Sequence, residues 1–383
     1  MSWVSRILAI HSLIHANYVD LKIANVRSNL INSAKASWEL GTAAEALTEL
    51  SWPALSVFER TAFPPTNHRN ASYNAADVLD IANKVMATRP KDSPSLVAND
   101  GAAADPASIG VSVLMANWTR SDLSDVSYSN AVRKQLQYLL YKVPRSKSGA
   151  ISHRASETQL WADFVYMVPP FIAYYGALQQ GTEGTELLQV AYDQCRLYRQ
   201  ALRDKSGLWK HITLGNWQDN SHWATGNAWA AAGMLRVLAS LKHSTEANKF
   251  SEQQADLREW IQEIVSAAWS YQVPHHQTAF GTLLNVLDDP KTFGDTASTA
   301  LIASVTYRLA VLNKDSLHVS NADRAMELIK NSIDRNGWLR NTVNPYTFHS
   351  PSPPDGHSPE GQAFVLLMYA GWRQYVDQIS RIG

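Results

Sequence analysis

Three short segments of this chain share one form, and their recurrence limits the possible fold more than any other feature. They are "KSGAISHR" (147–154), "KSGLWKHI" (205–212) and "RNGWLRNT" (335–342). In each, a long helical pattern ends, a Gly supplies the turn, an apolar pair follows, and a polar residue comes next. Gly just past a helix end is the usual left-handed cap. "TAFGTLLN" (278–285) is a diverged copy of the same form. Gly149, Gly207, Gly281 and Gly337 then recur at roughly sixty-residue intervals, the length of two helices and their loops. Between them, segments such as "YSNAVRKQLQYLLYKV", "TGNAWAAAGMLRVLASL" and "TASTALIASVTYRLAVL" carry apolar residues at three- and four-residue spacing, the helical period. No alternating run is long enough to argue for a sheet domain. Six two-helix units use up the chain. The expected fold is all-α, a closed (α/α)6 barrel of six helical hairpins, with an open helical solenoid as the alternative. His153 and His211, the polar residues of two repeated loops, favour the barrel, because loops repeated at one mouth converge on one pocket.

Composition narrows the function. Hydrophobic residues make up 45% of the 383 and charged residues 18%, enough apolar matter for a large core and far from the signature of disorder. Lys+Arg and Asp+Glu number 34 each, a balance that offers no electrostatic footprint for nucleic acid or an anionic membrane. No apolar run reaches the length of a membrane span. A lone cysteine, Cys195, allows no intrachain disulfide and no cysteine metal cluster. Glycine-rich phosphate loops and close-spaced zinc motifs are missing from the sequence. The first residues, "MSWVSRILAIHSLIHANY", resemble a signal peptide broken by His11 and His15, or an amphipathic lead-in. Residues 1–27 are therefore expected to be such a segment and residues 28–383 a single domain, with secretion expected and a cytoplasmic location the alternative. Asn70 and Asn117 head glycosylation sequons, triplets that also arise by chance.

"SETQLWADFVYMVPPF" (156–171) sets one carboxylate, Asp163, in an apolar and aromatic run expected to be a core helix. A buried charge is costly unless it is paired or its protonation shifts. Asp163 is then either a helix cap or hydrogen-bonded core group, or a catalytic acid. Thirteen Trp and fifteen Tyr suit both cores and sugar-stacking faces.

With the hairpin repeat, "QLWADFVYM" carries a resemblance to the unsaturated rhamnogalacturonyl hydrolases, glycoside hydrolase family 105, and to the related unsaturated glucuronyl hydrolases of family 88. Trp161, Asp163 and Met167 match the family's W-x-D-x-x-x-M. "HWATGNAW" (222–229) is similar to its W-x-R-G-N-x-W, "GLWKHI" (207–212) to its G-L-x-x-H turn, and "ASWELGTA" (36–43) and "GDTASTALI" (294–302) to two of its helix starts. The likeness runs from about Ser37 to about Ala370, nearly the whole domain. It implies the (α/α)6 barrel and oligosaccharide substrates released by polysaccharide lyases, with rhamnogalacturonan disaccharide foremost. These substrates carry a terminal uronic acid with a C4=C5 double bond. The family hydrates that bond and needs no metal or cofactor.

By this resemblance Asp163 is the general acid/base. An acid that protonates carbon and then takes a proton from water works best near ambient pH, and apolar walls push carboxyl groups that way. Asp105 fits the family's second aspartate, with Asp100 the fallback, although Asp before Pro is also an ordinary helix start. Trp161, His153, His211, Trp223, Thr225, Trp229 and Glu39 are the expected substrate contacts, set against core packing for the tryptophans and structural hydrogen bonding for the histidines. Asn227 is expected to hold its loop by local hydrogen bonds. Thr225 stands where the family has an Arg that would fork onto the uronate carboxylate. Arg154, Lys210 and Arg340 are the cations in the repeated loops that could replace it. An inverting glycosidase using Asp163 and Asp105 on a saturated sugar, or a non-catalytic carbohydrate-binding helical protein, are the competing functions.

Overall fold

Helical periodicity becomes helix almost throughout residues 22–63, 75–179, 181–274 and 280–382, which this computed structural model describes. Most of the N-terminal segment, residues 1–21, and the Asn70 sequon lie outside the described residues. In chain order the helices are α1 (Ile23–Ser33), α2 (Ser37–Ser51), α3 (Ala76–Thr88), α4 (Gly110–Thr119), α5 (Ser127–Tyr141), α6 (Phe164–Met167), α7 (Pro169–Gln179), α8 (Gly181–Leu202), α9 (Ala224–His243), α10 (Ser251–Ser270), α11 (Thr296–Asn313), α12 (Val319–Ser332) and α13 (Pro359–Ile382). Pro169 and Pro170 cannot donate backbone hydrogen bonds, so α6 and α7 are one helix broken at that point. Two kinds of helix then alternate along the described chain. In α12 only Val319, Ala322, Ala325, Met326 and Ile329 are buried, one stripe at helical spacing. In α9 everything from Ala224 to Leu241 is buried, and in α11 everything from Thr296 to Ala310. A one-faced helix followed by an all-round buried one, six times over, is the all-α (α/α)6 class expected from the sequence. None of the described helices is long and apolar enough to cross a membrane.

The described residues group into two compact units. One runs from Lys35 to Ile264; the other joins the residues up to Ala34 to those from Val265 onward, the division falling inside α10. Within the second, α13 packs against α1 and α11, and α11 against α12. Asp295 caps α11, accepting from Ala297 and Ser298 and also from the Val343 amide.

The repeated turns share a register. Gly149, Gly207 and Gly337 have φ of 94°, 84° and 85°, a conformation that side chains disfavour. Each donates to the carbonyl three residues back, at Ser146, Asp204 and Asp334. Two residues on, a buried helical side chain catches the backbone amide: Gln194 takes Ile151, Asn227 takes Trp209, and Gln362 takes Leu339, each at 2.8 Å. In the diverged copy, Gly281 has φ 92° and Thr299 takes the amide of Leu283 at 2.9 Å.

Two features differ from the sequence expectation. Trp161 lies on a strand, not a helix: β1 (Gln159–Trp161) pairs antiparallel with β2 (Ile212–Leu214), Trp161 opposite Ile212. Three residues are too few for a period to show. A second two-stranded pair, β3 (Leu283–Leu284) with β4 (Gly294–Asp295), precedes α11.

In the Lys35–Ile264 unit, Arg236 of α9 is buried against Glu45 and Glu49 of α2, with the Tyr166 ring 5.3 Å from its guanidinium carbon. Burial pushes the Glu45 carboxyl up to about 7, Arg236 opposing. Such a pair is costly to break once buried, and it ties the first buried helix of this unit to its last.

Close backbone approach sets the position of α6. A Cβ on Gly233 of α9 would stand 2.0 Å from the Val165 carbonyl oxygen. Backbone cannot yield as a side chain can, so Gly233→Ala should destabilise by about 3 kcal/mol, the upper end for overpacking. A urea midpoint within error of wild type would contradict this packing.

Candidate active site

The paired strands bring two loops together. β1 ends at Trp161, and the amide of Ala162 donates to the His211 carbonyl at 2.9 Å. Asp163 follows as the N-cap of α6, but its carboxyl makes no cap hydrogen bond. The capping role that competes with catalysis is therefore absent. Instead Asp163 Oδ2 lies 3.4 Å from His211 Nε2, with the Asp163 side chain 13% exposed and the His211 side chain fully buried. On its other side, His211 Nδ1 lies 2.9 Å from Asp219 Oδ2. Burial opposes charge on His211, but hydrogen bonds and the charges of Asp163 and Asp219 outweigh it and hold the imidazole above its usual pKa. Burial would lift Asp219, yet His211 and Ser221 hold its carboxyl well below the usual range.

Asp105 opens a 3-10 segment, Asp105–Ile109, that packs against α2. Gly41 permits that approach, since a Cβ there would meet Ser108 Oγ at 2.0 Å. Asp105 Oδ1 lies 3.6 Å from His153 Nε2. Burial pushes the Asp105 carboxyl well up, the charges of Asp100 and Asp163 adding and Arg154 opposing. Burial pushes His153 down to about 4, Asp163 opposing and Arg154 and His211 adding. Asp100, the fallback, is engaged by Ser37 and by the Ala102 amide.

Trp161 joins the two groups. His153 stacks on its face at 4.7 Å and 11°, and His211 meets it edge-on at 5.5 Å. Trp217 also meets it edge-on, at 5.4 Å, and is 46% exposed. Trp223 packs on His211 at 4.4 Å.

The sequence thus places Asp163, Asp105, Trp161, His153, His211 and Trp223 in one cluster. Three expectations take a different form. Glu39 is a helix-start group: its Oε2 accepts from the amides of Lys35 and Ala36, at 2.9 and 3.0 Å. Trp229 is fully buried against Tyr166, as core. Thr225 is also fully buried, on the first turn of α9. Asn227 does hold its loop, bonding the amide and carbonyl of Trp209 and the carbonyl of Trp223. Among the cations, Arg340 is bound to Asp334 in the other unit, whereas the charge of Arg154 acts on both Asp105 and His153. The sequence does not single out Asp219 or Trp217; their only signal is their place in the loop that carries His211. Among the described residues no group of three or more His, Cys, Asp or Glu side chains could hold a metal ion.

The raised Asp105 has a consequence for stability. Below the unfolded carboxyl's pKa its contribution is intact, and it is lost as pH rises through the higher folded value. Asp105→Asn removes that loss. Its thermal midpoint should exceed wild type's at pH 8, and the gap should shrink by pH 4.5. A variant less stable than wild type at pH 8 would show that Asp105 is held ionised by a partner.

A family model described as Glycosyl Hydrolase Family 88 matches residues 69–370. Among solved structures, a possible member of family GH105 from Klebsiella pneumoniae subsp. pneumoniae MGH 78578 is similar over 96% of this chain and 93% of its own, at 18% identity and TM-score 0.69. An unsaturated glucuronyl hydrolase specific for heparin is similar over 94% and 97%, at 14% identity and TM-score 0.60. The unsaturated glucuronyl hydrolase of Bacillus sp. GL1, responsible for glycosaminoglycan degradation, is similar over 91% and 94%, at 14% identity and TM-score 0.60. No curated protein matches.

Proposed function

This chain belongs to glycosyl hydrolase family 88, and on that premise we propose that Asp163 hydrates the C4=C5 bond of an unsaturated uronyl oligosaccharide. The protein is a glycoside hydrolase of the unsaturated uronyl type. The finer reading concerns mechanism and substrate. Protonated Asp163 gives its proton to C4, and positive charge develops at C5 and the ring oxygen. Water bonds to C5 and loses a proton to the Asp163 carboxylate, which restores the acid. The C5–O5 bond of this hemiketal breaks, leaving a ketone at C5 and a hemiacetal at C1. That hemiacetal releases the next sugar as an alcohol. One water is consumed and no redox change occurs.

The observation that carries this reading is the pairing of a nearly buried, uncapped Asp163 with His211 at 3.4 Å. A group that gives and then takes a proton needs a partner within reach of its oxygen. Asp105, which burial favours in its neutral form, is suited to donate a hydrogen bond to a substrate hydroxyl. The half-exposed Trp217 offers an aromatic face for a sugar ring. Thr225 cannot pair with the uronate, and Arg154 is the cation whose charge reaches the cluster, so we assign it that carboxylate. A rhamnogalacturonan-derived disaccharide is the proposed substrate.

The test follows loss of the C4=C5 absorbance with unsaturated disaccharides from pectin and glycosaminoglycan lyases. Asp163→Asn should slow it by at least about 10³-fold, the upper range for general acid–base catalysis, with little change in KM. Arg154→Met should instead raise KM by about tenfold and spare kcat. Full-rate chromophore loss by Asp163→Asn would overturn the mechanism. Release of reducing sugar from uncut polysaccharide, with the chromophore unchanged, would make the enzyme an ordinary glycosidase.

A further inference from the structure

We infer that Asp219 is a positioning residue for the hydration step: through His211 it sets how tightly the Asp163–His211 pair holds its proton. This rests on the assignment of Asp163 as the acid. Asp219 is fixed from three directions. Its backbone amide and carbonyl exchange hydrogen bonds with Ile212, at 3.1 and 2.9 Å. Its Oδ1 accepts from the Ser221 amide at 3.0 Å. The His211 amide in turn donates to the Ser221 carbonyl at 3.0 Å. What remains is Oδ2, held 2.9 Å from His211 Nδ1. An ionised carboxylate can only accept, so Nδ1 carries hydrogen in both charge states of the ring. The other nitrogen, Nε2, is thereby the one that exchanges a proton, and it faces Asp163 Oδ2 at 3.4 Å.

The groups that bear on His211 come from every element around it. Asp163 stands at the start of α6 and Asp219 beyond β2. His153, ahead of β1, is coupled to it through charge. The rings of Trp161 and Trp223 pack against its ring, which is fully buried. Two carboxylates against one other imidazole favour keeping a proton on the pair. Asp163 Oδ2 and His211 Nε2 are close enough to pass a proton between them. The reaction cannot begin without that proton, which passes from His211 Nε2 to Asp163 Oδ2 and from there to C4. It is recovered when the attacking water loses a proton to Asp163. Asp219 takes part in no bond change; it raises the pH at which the proton is lost.

Asp219→Asn keeps the shape and removes the charge. A charge-assisted hydrogen bond is about twice as strong as a neutral one. The alkaline limb of kcat/KM should therefore move to lower pH by about one unit or more, with KM at pH 6 close to wild type. A merely structural role would lower activity equally at all pH values. The second arm needs no substrate. In histidine ring 15N–1H spectra, with the signal assigned by its loss in His211→Gln, wild-type His211 should titrate above the ordinary imidazole pKa with Nδ1 protonated throughout. In Asp219→Asn it should titrate at least about one unit lower. An unmoved alkaline limb, or a His211 that titrates alike in both proteins, would overturn the inference. Should Asp219→Asn fail to fold, the wild-type spectrum decides alone: a neutral His211 protonated on Nε2 would overturn it. If wild type turns over no unsaturated uronide, the hydrolase reading fails, while the spectra still judge the Asp219–His211 coupling.

Discussion

A loop carried into an apolar interior must hydrogen-bond every backbone group it brings along, and this requirement organises the protein. Orphaned buried amides and carbonyls are rare in native structures because each costs about as much as a lost hydrogen bond. The repeated turns meet the requirement in one way. The left-handed Gly closes a short backbone ring, and a side-chain oxygen from a buried position on a helix takes the amide two residues later. Gln194, Asn227, Thr299 and Gln362 are polar residues whose burial is repaid in this way. They fix each loop to a helix, so the residues that follow have little freedom.

Those following residues include the candidate site. His153 and His211 each stand four positions after the turn Gly, at the same point of the repeat, while Asn285 and Asn341 hold that point in the other two copies. The scaffold thus delivers a ring nitrogen from two adjacent loops, and the β1–β2 pairing brings Asp163 beside one of them. The outcome is two carboxylate–imidazole pairs that share Trp161 as a wall. They are opposite in character. Burial leaves His153 neutral and favours a protonated Asp105, whereas two carboxylates favour a charged His211. Environments that push neighbouring groups apart in this way are how a single site holds a donor and an acceptor at one pH.

Much of this was legible in the sequence. The turn glycines, their interval and the three-and-four spacing gave the hairpins, since backbone conformation and helical period are local properties that leave a local trace. Asp163 stood out as a charge among aromatics, and the W-x-D and G-L-x-x-H segments carried the family resemblance. The strand at Trp161 is hidden in the sequence because three residues have no period of their own; its pairing partner lies some fifty residues away in the chain. Glu39 looked functional within a familiar segment, yet its reach to two amides at the start of α2 is a capping geometry that only coordinates reveal. Trp223 and Trp229 look alike in the sequence. Trp223 packs against His211 and Trp229 against Tyr166, a difference set by the face of the helix start on which each falls.

By itself, then, the sequence determined the class of fold and the register of the repeated turns, and it singled out Asp163 as the candidate acid, all of which depend on neighbours within a few residues. Tertiary structure alone decided which groups meet Asp163. The contact of His211 with both Asp163 and Asp219 depends on two loops held side by side by strand pairing and by Asn227. The protonation of His211 and Asp105 depends in turn on how completely water is excluded around them. Burial and charge act through space, over distances that chain separation does not encode.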